Sequence, residues 1–368
     1  MAFLSQLTNR NKENILINTN MRYCQRHGLL GFRNNITSSS YTMDRFLYDV
    51  GGGVSQVNFS QIESAPGYLA SGSHGKHAFR LDVSTGFGGG YGTNDIMAVH
   101  QYVEGTIAAR RGAIGKPMLM TGWVRADKAY TLPISLRSSS DGTNFDRSIV
   151  YTHNVDTVWS RYAFAVPASD LSIHTEKGRA YSYTLGLGLG PVFEAPSSGV
   201  WHTGNFMSIP GVAPFGLNAG EFIEYTQPVL VPFDSLPSND VVNSFQHVPH
   251  GYDFEAEERG VDRYFQAAGP RDRNSGDLTQ NVYQQVFMGT GSIRMLLPAR
   301  NIIRNAAPDV IPFNPIGFNQ NFLYTNFQVP ANGSMQNEST LFLFNTGGSP
   351  PNGIAVDFRY HWIIEDEL

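Results

Sequence analysis

Apolar and polar side chains alternate with a period of two along most of the chain, the signature of half-buried β-strands. Phe79, Leu81 and Val83 alternate with Arg80 and Asp82, and Met118, Met120, Gly122, Val124 and Ala126 share one face of a single run. Tyr162, Phe164 and Val166 repeat the pattern before Pro167. Tyr183, Leu185, Leu187 and Leu189 alternate with Thr184, Gly186, Gly188 and Gly190. The last run sets Ile354, Val356, Phe358, Tyr360, Trp362 and Ile364 against Asp357, Arg359 and His361. A slip of one residue there would bury charge, so its register is fixed. Ile15 and Ile17, with Leu16 between them, predict a strand buried on both faces.

Turn signals separate these runs: Gly51-Gly52-Gly53, Gly88-Gly89-Gly90, Asp141-Gly142, Ser198-Gly199, Asn332-Gly333, Gly347-Gly348 and Asn352-Gly353. Short strands with glycine-rich turns predict sandwiches, not a parallel α/β sheet. One stretch differs. Asp253 can cap a helix with Glu255, Glu257 and Glu258 in its first turns and Phe254, Val261 and Phe265 on one face, stopped by Gly269-Pro270. The residues from Val229 to His250 are rich in Pro, Ser and Asn and read as a linker. The expected fold is therefore mostly β: a short arm at 1–13, a β-sandwich domain at 14–235 (a jelly roll by the resemblance given below), a linker and short helix at 236–270, and a C-terminal β-sandwich domain at 271–368. With so short an arm, an anchor ahead of the first strand is expected to be brief. No fixed-length repeat occurs, which argues against a parallel β-helix.

Composition sharpens this picture. Charged residues make up 15% of the 368 residues and aromatic residues 12%, the reverse of a disordered chain. So little surface charge predicts that much surface is covered by other subunits. The formal charge of −5 and a single adjacent basic pair, Arg110-Arg111, argue against a nucleic-acid partner. No apolar run is long enough to span a membrane, and the N-terminus lacks the features of a signal peptide.

Candidate chemistry is sparse. Cys24 is the lone cysteine, which excludes an intrachain disulfide, and it reads as a small packed side chain. The ten histidines are scattered without a His-Glu-x-x-His pattern, and neither a metal nor a cofactor is expected. No Gly-x-Ser-x-Gly elbow occurs, and Gly88-Gly89-Gly90 lacks the helix and Lys of a phosphate loop. No carboxylate pair stands out for glycoside hydrolysis, so no catalytic residue is assigned. A sugar site needs flat aromatic faces beside amides or carboxylates. Trp201, flanked by His202 and Asn205 in a glycine-bounded loop, has that composition. The alternatives are a shallow groove over Thr184, Gly186, Gly188 and Gly190, or a Trp201 that plugs the domain or meets another subunit.

Several segments carry a resemblance. Asn14-Ile-Leu-Ile-Asn-Thr-Asn-Met-Arg-Tyr-Cys-Gln-Arg-His-Gly28 followed by Tyr41-Thr-Met-Asp-Arg-Phe46 resembles the opening of phage virion fibre proteins of the tail-fibre and head-fibre type. Met120-Thr-Gly-Trp123-Val-Arg125-Ala and Trp159-Ser-Arg-Tyr-Ala-Phe-Ala-Val-Pro167 resemble the middle strands of their carbohydrate-binding-module-like jelly roll, and Ser198-Gly-Val-Trp201-His-Thr-Gly204-Asn205 its late loop. Arg263-Tyr264-Phe265 resembles the step before their small C-terminal β domain. The chain departs from that pattern at Phe46, where Trp is usual, and at Val261-Asp262, where Cys is common. The resemblance implies a non-enzymatic virion protein, made in the host cytoplasm. It implies a homotrimer that contacts capsid, portal or baseplate proteins and attaches to host surface glycans. A capsid decoration or cement protein that binds no sugar is the alternative, and a glycan-cleaving spike a further one. Asp44, Arg45, Arg263 and Tyr264 are expected to act structurally, with Asp44 and Arg45 forming an ion pair under Tyr41 and Phe46.

Overall fold

The computed structural model describes residues 14–19, 21, 32–43, 45–52, 56–63, 77–169, 172–176 and 178–245, together with strands inside 265–365. These fall into two compact units, one within 14–245 and one within 265–365.

The first unit is a sandwich of two antiparallel sheets. One has six strands: β1 (Phe32–Ile36), β4 (Gln56–Ile62), β5 (Ala78–Thr85), β13 (Phe222–Pro232), β7 (Met118–Ala126) and β10 (Ser160–Val166), neighbours in that order. The other has seven: β12 (Trp201–Thr203), β9 (Arg147–Val155), β8 (Tyr130–Ser138), β11 (Arg179–Leu189), β6 (Ile96–Glu104), β3 (Phe46–Gly51) and β2 (Ser40–Met43). The alternation read from the sequence supplies the core. Phe79, Leu81, Val83, Met118, Met120, Val124, Ala126, Tyr162, Tyr183, Leu185 and Leu187 are all buried. Across the interior, Tyr225 of β13 meets Phe46 of β3 edge-on at 6.3 Å and Tyr183 of β11 at the same distance, and the hydroxyls of Tyr162 and Tyr183 are hydrogen-bonded. Gly122 faces Tyr162 across the β7–β10 ladder, and a Cβ there would strike the phenol ring. The absent side chain is what lets that ring lie inward.

Ile15, Leu16 and Ile17 are buried as expected, but in bends, not a strand. The Gln101 amide takes the place of a partner strand, accepting from Ile17 N at 2.7 Å and donating to its carbonyl at 2.8 Å. The bulge in β13 at Gln227, in the left-handed region at φ 51°, bonds its N–H to Thr19 O at 2.9 Å. Arg45 is also left-handed (φ 76°) and buried, and donates to Tyr102 O at 2.7 Å, fastening the β2–β3 turn to β6. Asp44, its expected partner, lies outside the described residues, as do Cys24, Arg263 and Tyr264.

Among the described residues the unit also has two short α-helices, α1 (Gly105–Arg110) and α2 (Asn239–Ser244). The second corrects the linker reading of 229–250, because Val229–Pro232 belong to β13 and the Ser238 hydroxyl caps α2 at Val241 N. Val241 and Val242 pack on Leu119, Val229, Val231 and Phe233. The apolar valines outweigh the loop-forming neighbours because β7 and β13 offer them a covered surface.

In the second unit, β14 (Phe265–Ala267), β20 (His361–Glu365) and β17 (Asp309–Phe313) form one sheet in that order. β15 (Phe287–Gly289), β16 (Ser292–Leu297), β19 (Thr340–Thr346) and β18 (Phe327–Gln328) form another. The helix expected over 253–268 lies mostly outside the described residues. Where the chain is described there, Phe265–Ala267 is a strand paired with Glu365, Ile364 and Ile363. That pairing satisfies the backbone between strands distant in sequence, a long-range contact that helical spacing does not reveal. Of the final alternating run, His361–Glu365 is described and is a strand.

Candidate functional site on the seven-stranded sheet

The central strands β6, β8 and β11 are buried on both faces, which strict alternation does not predict. Register places Tyr102, Ser182 and Arg137 in one row across these strands, with Ser148 and His202 continuing it through β9 and β12. The neighbouring row runs Leu47, His100, Thr184, Ser135. These rows lie on the side away from the core residues Tyr183, Leu185, Ile134 and Leu136, which alternate with them.

Arg137 is the hub, only 3% exposed. Its Nη1 donates to Asn205 Oδ1 at 2.6 Å, and its Nη2 to Ser182 Oγ at 2.7 Å, Thr184 Oγ1 at 3.1 Å and His100 Nδ1 at 3.0 Å. A guanidinium only donates, so His100 Nδ1 accepts and its proton resides on Nε2, which faces Asp49 Oδ2 at 3.4 Å. Burial, reinforced by the Arg137 charge, pushes the His100 pKa down to about 4 despite Asp49. Burial would raise the Asp49 carboxyl, but hydrogen bonds from His100 and Ser39 and the nearby positive charges outweigh it and hold it at about 2. Burial lowers Arg137 to about 10, leaving it charged at neutral pH.

Aromatic rings roof this cluster. The guanidinium of Arg137 lies 4.5 Å from the ring centre of Phe145, and that of Arg179 lies 4.3 Å from Tyr102. Tyr102 stacks with both His100 and Phe145 at 5.8 Å. Phe145 and Arg179 are half-buried and Asn205 is exposed, so these three face outward. The loop carrying Phe145 is held firmly. Asp141 accepts from Thr143 N and Asn144 N, each at 2.7 Å, and hydrogen bonds from Asn144 and Thr143 keep its carboxyl well below the usual carboxylate range. Gly142, left-handed at φ 81° as the predicted Asp-Gly turn requires, accepts from Arg179 N at 2.8 Å. One backbone bond thus couples the aromatic loop to the second arginine.

The expected sugar-binding trio is divided. Trp201 pairs with the core residue Ile149, and its indole Nε1–H donates to Pro167 O at 2.9 Å. His202 is on the opposite face, 3.1 Å from Ser197 Oγ and edge-on to Phe206. Asn205 joins the Arg137 cluster. Thr184 lies there too, but the glycines beyond it do not open a groove. A Cβ on Gly186 would stand 2.8 Å from Met207 O and 3.0 Å from Pro133 Cγ; on Gly188 it would strike Tyr91, and on Gly190 the backbone of Gly92 and Thr93. Close approach of neighbouring segments is what these glycines permit.

Sequence reasoning missed Arg137, His100, Asp49, Tyr102, Phe145 and Arg179. A polar residue in an alternating strand reads as solvent-facing. The small polar partners Ser182, Thr184 and Ser148 become a signal only once the register is known.

No protein-family model matches the chain, and no curated protein does. Among solved structures it is similar to the enzymatically active domain of bacteriophage CBA120 tailspike protein 4, at 14% identity over 60% of this chain and 21% of that one (TM-score 0.31). The match thus spans about a fifth of the tailspike domain's length. It is also similar to TmCBM61 in complex with β-1,4-galactotriose, at 12% identity over 60% of this chain and 99% of that one (TM-score 0.27). A third is the family 11 carbohydrate-binding module from Clostridium thermocellum in complex with a β-1,3-1,4-mixed-linked tetrasaccharide, at 12% identity over 55% of this chain and 99% of that one (TM-score 0.28).

Proposed function

We propose that this chain is a non-catalytic structural protein of a virion, a homotrimeric fibre or capsid-associated protein that attaches to host surface glycans through the outward face of its seven-stranded sheet. The observation that carries the binding function is the Arg137 cluster beneath Phe145, Tyr102 and Asn205. An aromatic ring offers its face to the C–H patch of a pyranose, while an exposed amide and a guanidinium meet the hydroxyls. The parts are held before a ligand arrives: the Phe145 loop by Asp141, Asn205 by Arg137, and Arg137 by three side chains of the sheet. Such pre-organisation lowers the ordering cost of binding. The virion assignment and the trimer rest on the ordered sequence motifs and the low charge content.

The outward face of the six-stranded sheet supports a second reading, a decoration protein that binds other virion proteins. There Glu224 is buried between Arg80, at 2.7 Å, and Arg125, while Asp82 takes Arg80 at 2.6 Å. Phe222 lies 3.9 Å under Arg80 and Trp159 5.4 Å from Arg125. Arginine and aromatic side chains are the types that anchor protein interfaces.

A glycan array separates the two readings. Wild type is expected to bind, and a folded Phe145→Ala variant to lose about tenfold or more in affinity. Absence of any binding by wild type would leave the decoration reading. Full binding by Phe145→Ala would remove this face as the glycan site.

A further inference from the structure

The charge on this same face defines a ligand class, an inference that rests on the glycan-binding reading above. Two guanidiniums serve the site, and among the described residues neither is in ion-pair contact with a carboxylate. The hydrogen-bond partners of the Arg137 terminal nitrogens, Asn205, Ser182, Thr184 and His100, are all uncharged, and its Nε–H is buried without an acceptor. Arg179 lies over Tyr102. Among the described residues, no carboxylate comes within 4.0 Å of either guanidinium. Asp49 attracts Arg137 only across the intervening His100, while the two arginines repel each other.

On the other outward face the arginines are paired with carboxylates. Arg80 holds both Asp82 and Glu224, and Arg125 holds Glu224. An uncompensated buried guanidinium is unfavourable, and a second beside it more so. A bound anion offsets that cost, because a charge-assisted hydrogen bond to a guanidinium is stronger than a neutral one. Asn205 is exposed, and because its Oδ1 accepts from Arg137 Nη1 at 2.6 Å, its amide N–H groups are the donors left for such an anion. Both cations are arginines, whose flat fork matches a carboxylate in a way that an ammonium does not.

We propose that the ligand of this face is an acidic saccharide, a uronic or nonulosonic acid unit. Its carboxylate pairs with Arg179 and accepts from the exposed Asn205 amide, above the buried charge of Arg137, while its ring carbons rest on Phe145.

The test uses the full chain and pairs of glycans that differ at one group. Calorimetric titration compares 3′-sialyllactose and trigalacturonate with their carboxyl-reduced counterparts, after an array carrying acidic and neutral glycans. At least one acidic member is expected to bind about tenfold or more tightly than its reduced partner. Arg179→Gln is expected to bring the acidic member down to the level of the reduced one, and Arg179→Lys to fall between. Equal binding of acidic and reduced glycans, or a preference unchanged in a folded Arg179→Gln variant, overturns the proposal. Binding confined to neutral glycans overturns it while leaving the glycan-binding reading intact. No binding to any glycan removes both.

Discussion

Arg137 Nη2 lies 3.0 Å from His100 Nδ1, so a charged guanidinium donates to a histidine that burial keeps neutral. The relationship fixes the imidazole tautomer and turns Nε2–H towards Asp49. It also makes the folded chain sensitive to acid. A histidine whose folded pKa is depressed contributes stability that is fully present above its unfolded pKa and is lost as pH falls. For His100 the window runs from 6.5 down to about 4. The loss across it is roughly 3 kcal/mol. Thermal melts from pH 7 to 4 are expected to show a steep fall in Tm that flattens in His100→Gln. A wild-type Tm that is level across this range contradicts the assignment of a neutral His100.

Arg137 is expected to matter more for binding than for folding. Its charge is buried against neutral acceptors, so Arg137→Met removes a desolvation cost along with four hydrogen bonds. The net change in unfolding free energy should stay within about 2 kcal/mol, while glycan binding is lost. Urea denaturation beside a binding assay checks this. A destabilisation of more than about 3 kcal/mol would mean that the cluster is primarily a structural device.

The interior prediction concerns Gly122. Gly122→Ala places a methyl where the Tyr162 phenol lies and disturbs the hydroxyl pair with Tyr183. Overpacking of this kind costs about 1–3 kcal/mol. A neutral change in Tm would show that the ring can move aside.

Arg161 offers a test at the end of the first unit. Its guanidinium donates to the carbonyls of Val242, Asn243 and Phe245, at 3.2, 3.3 and 2.6 Å, where α2 ends. Arg161→Ala should fray this helix by about 1–2 kcal/mol and speed proteolysis beyond residue 238, leaving the sandwich intact. Hydrogen exchange of the Val241 and Val242 amides reads the effect directly, and unchanged protection there would refute the clamp.

The sandwich was legible because one apolar set per strand is enough to define a core face, as in Phe79, Leu81 and Val83. The site was not, because its residues come from β3, β6, β8, β11 and two loops, and only the register aligns them. Asn205, expected beside Trp201, accepts from Arg137 instead. Trp201 was the wrong companion for His202, since neighbours in a strand face opposite ways and the indole satisfies itself at Pro167. The glycines after Thr184 misled for a related reason: a missing side chain marks close approach as readily as open space. Phe265 fitted a helical spacing, yet its partner Glu365 lies a hundred residues away, where no local pattern can point.

The account's central claim is that glycans seat on the outward face of the seven-stranded sheet. A crystal structure of the chain with the best-binding array glycan tests it most directly. The account predicts a sugar ring over Phe145, with polar contacts to Asn205 and Arg179. A glycan found at Trp201, or on the six-stranded sheet beside Trp159, would contradict it.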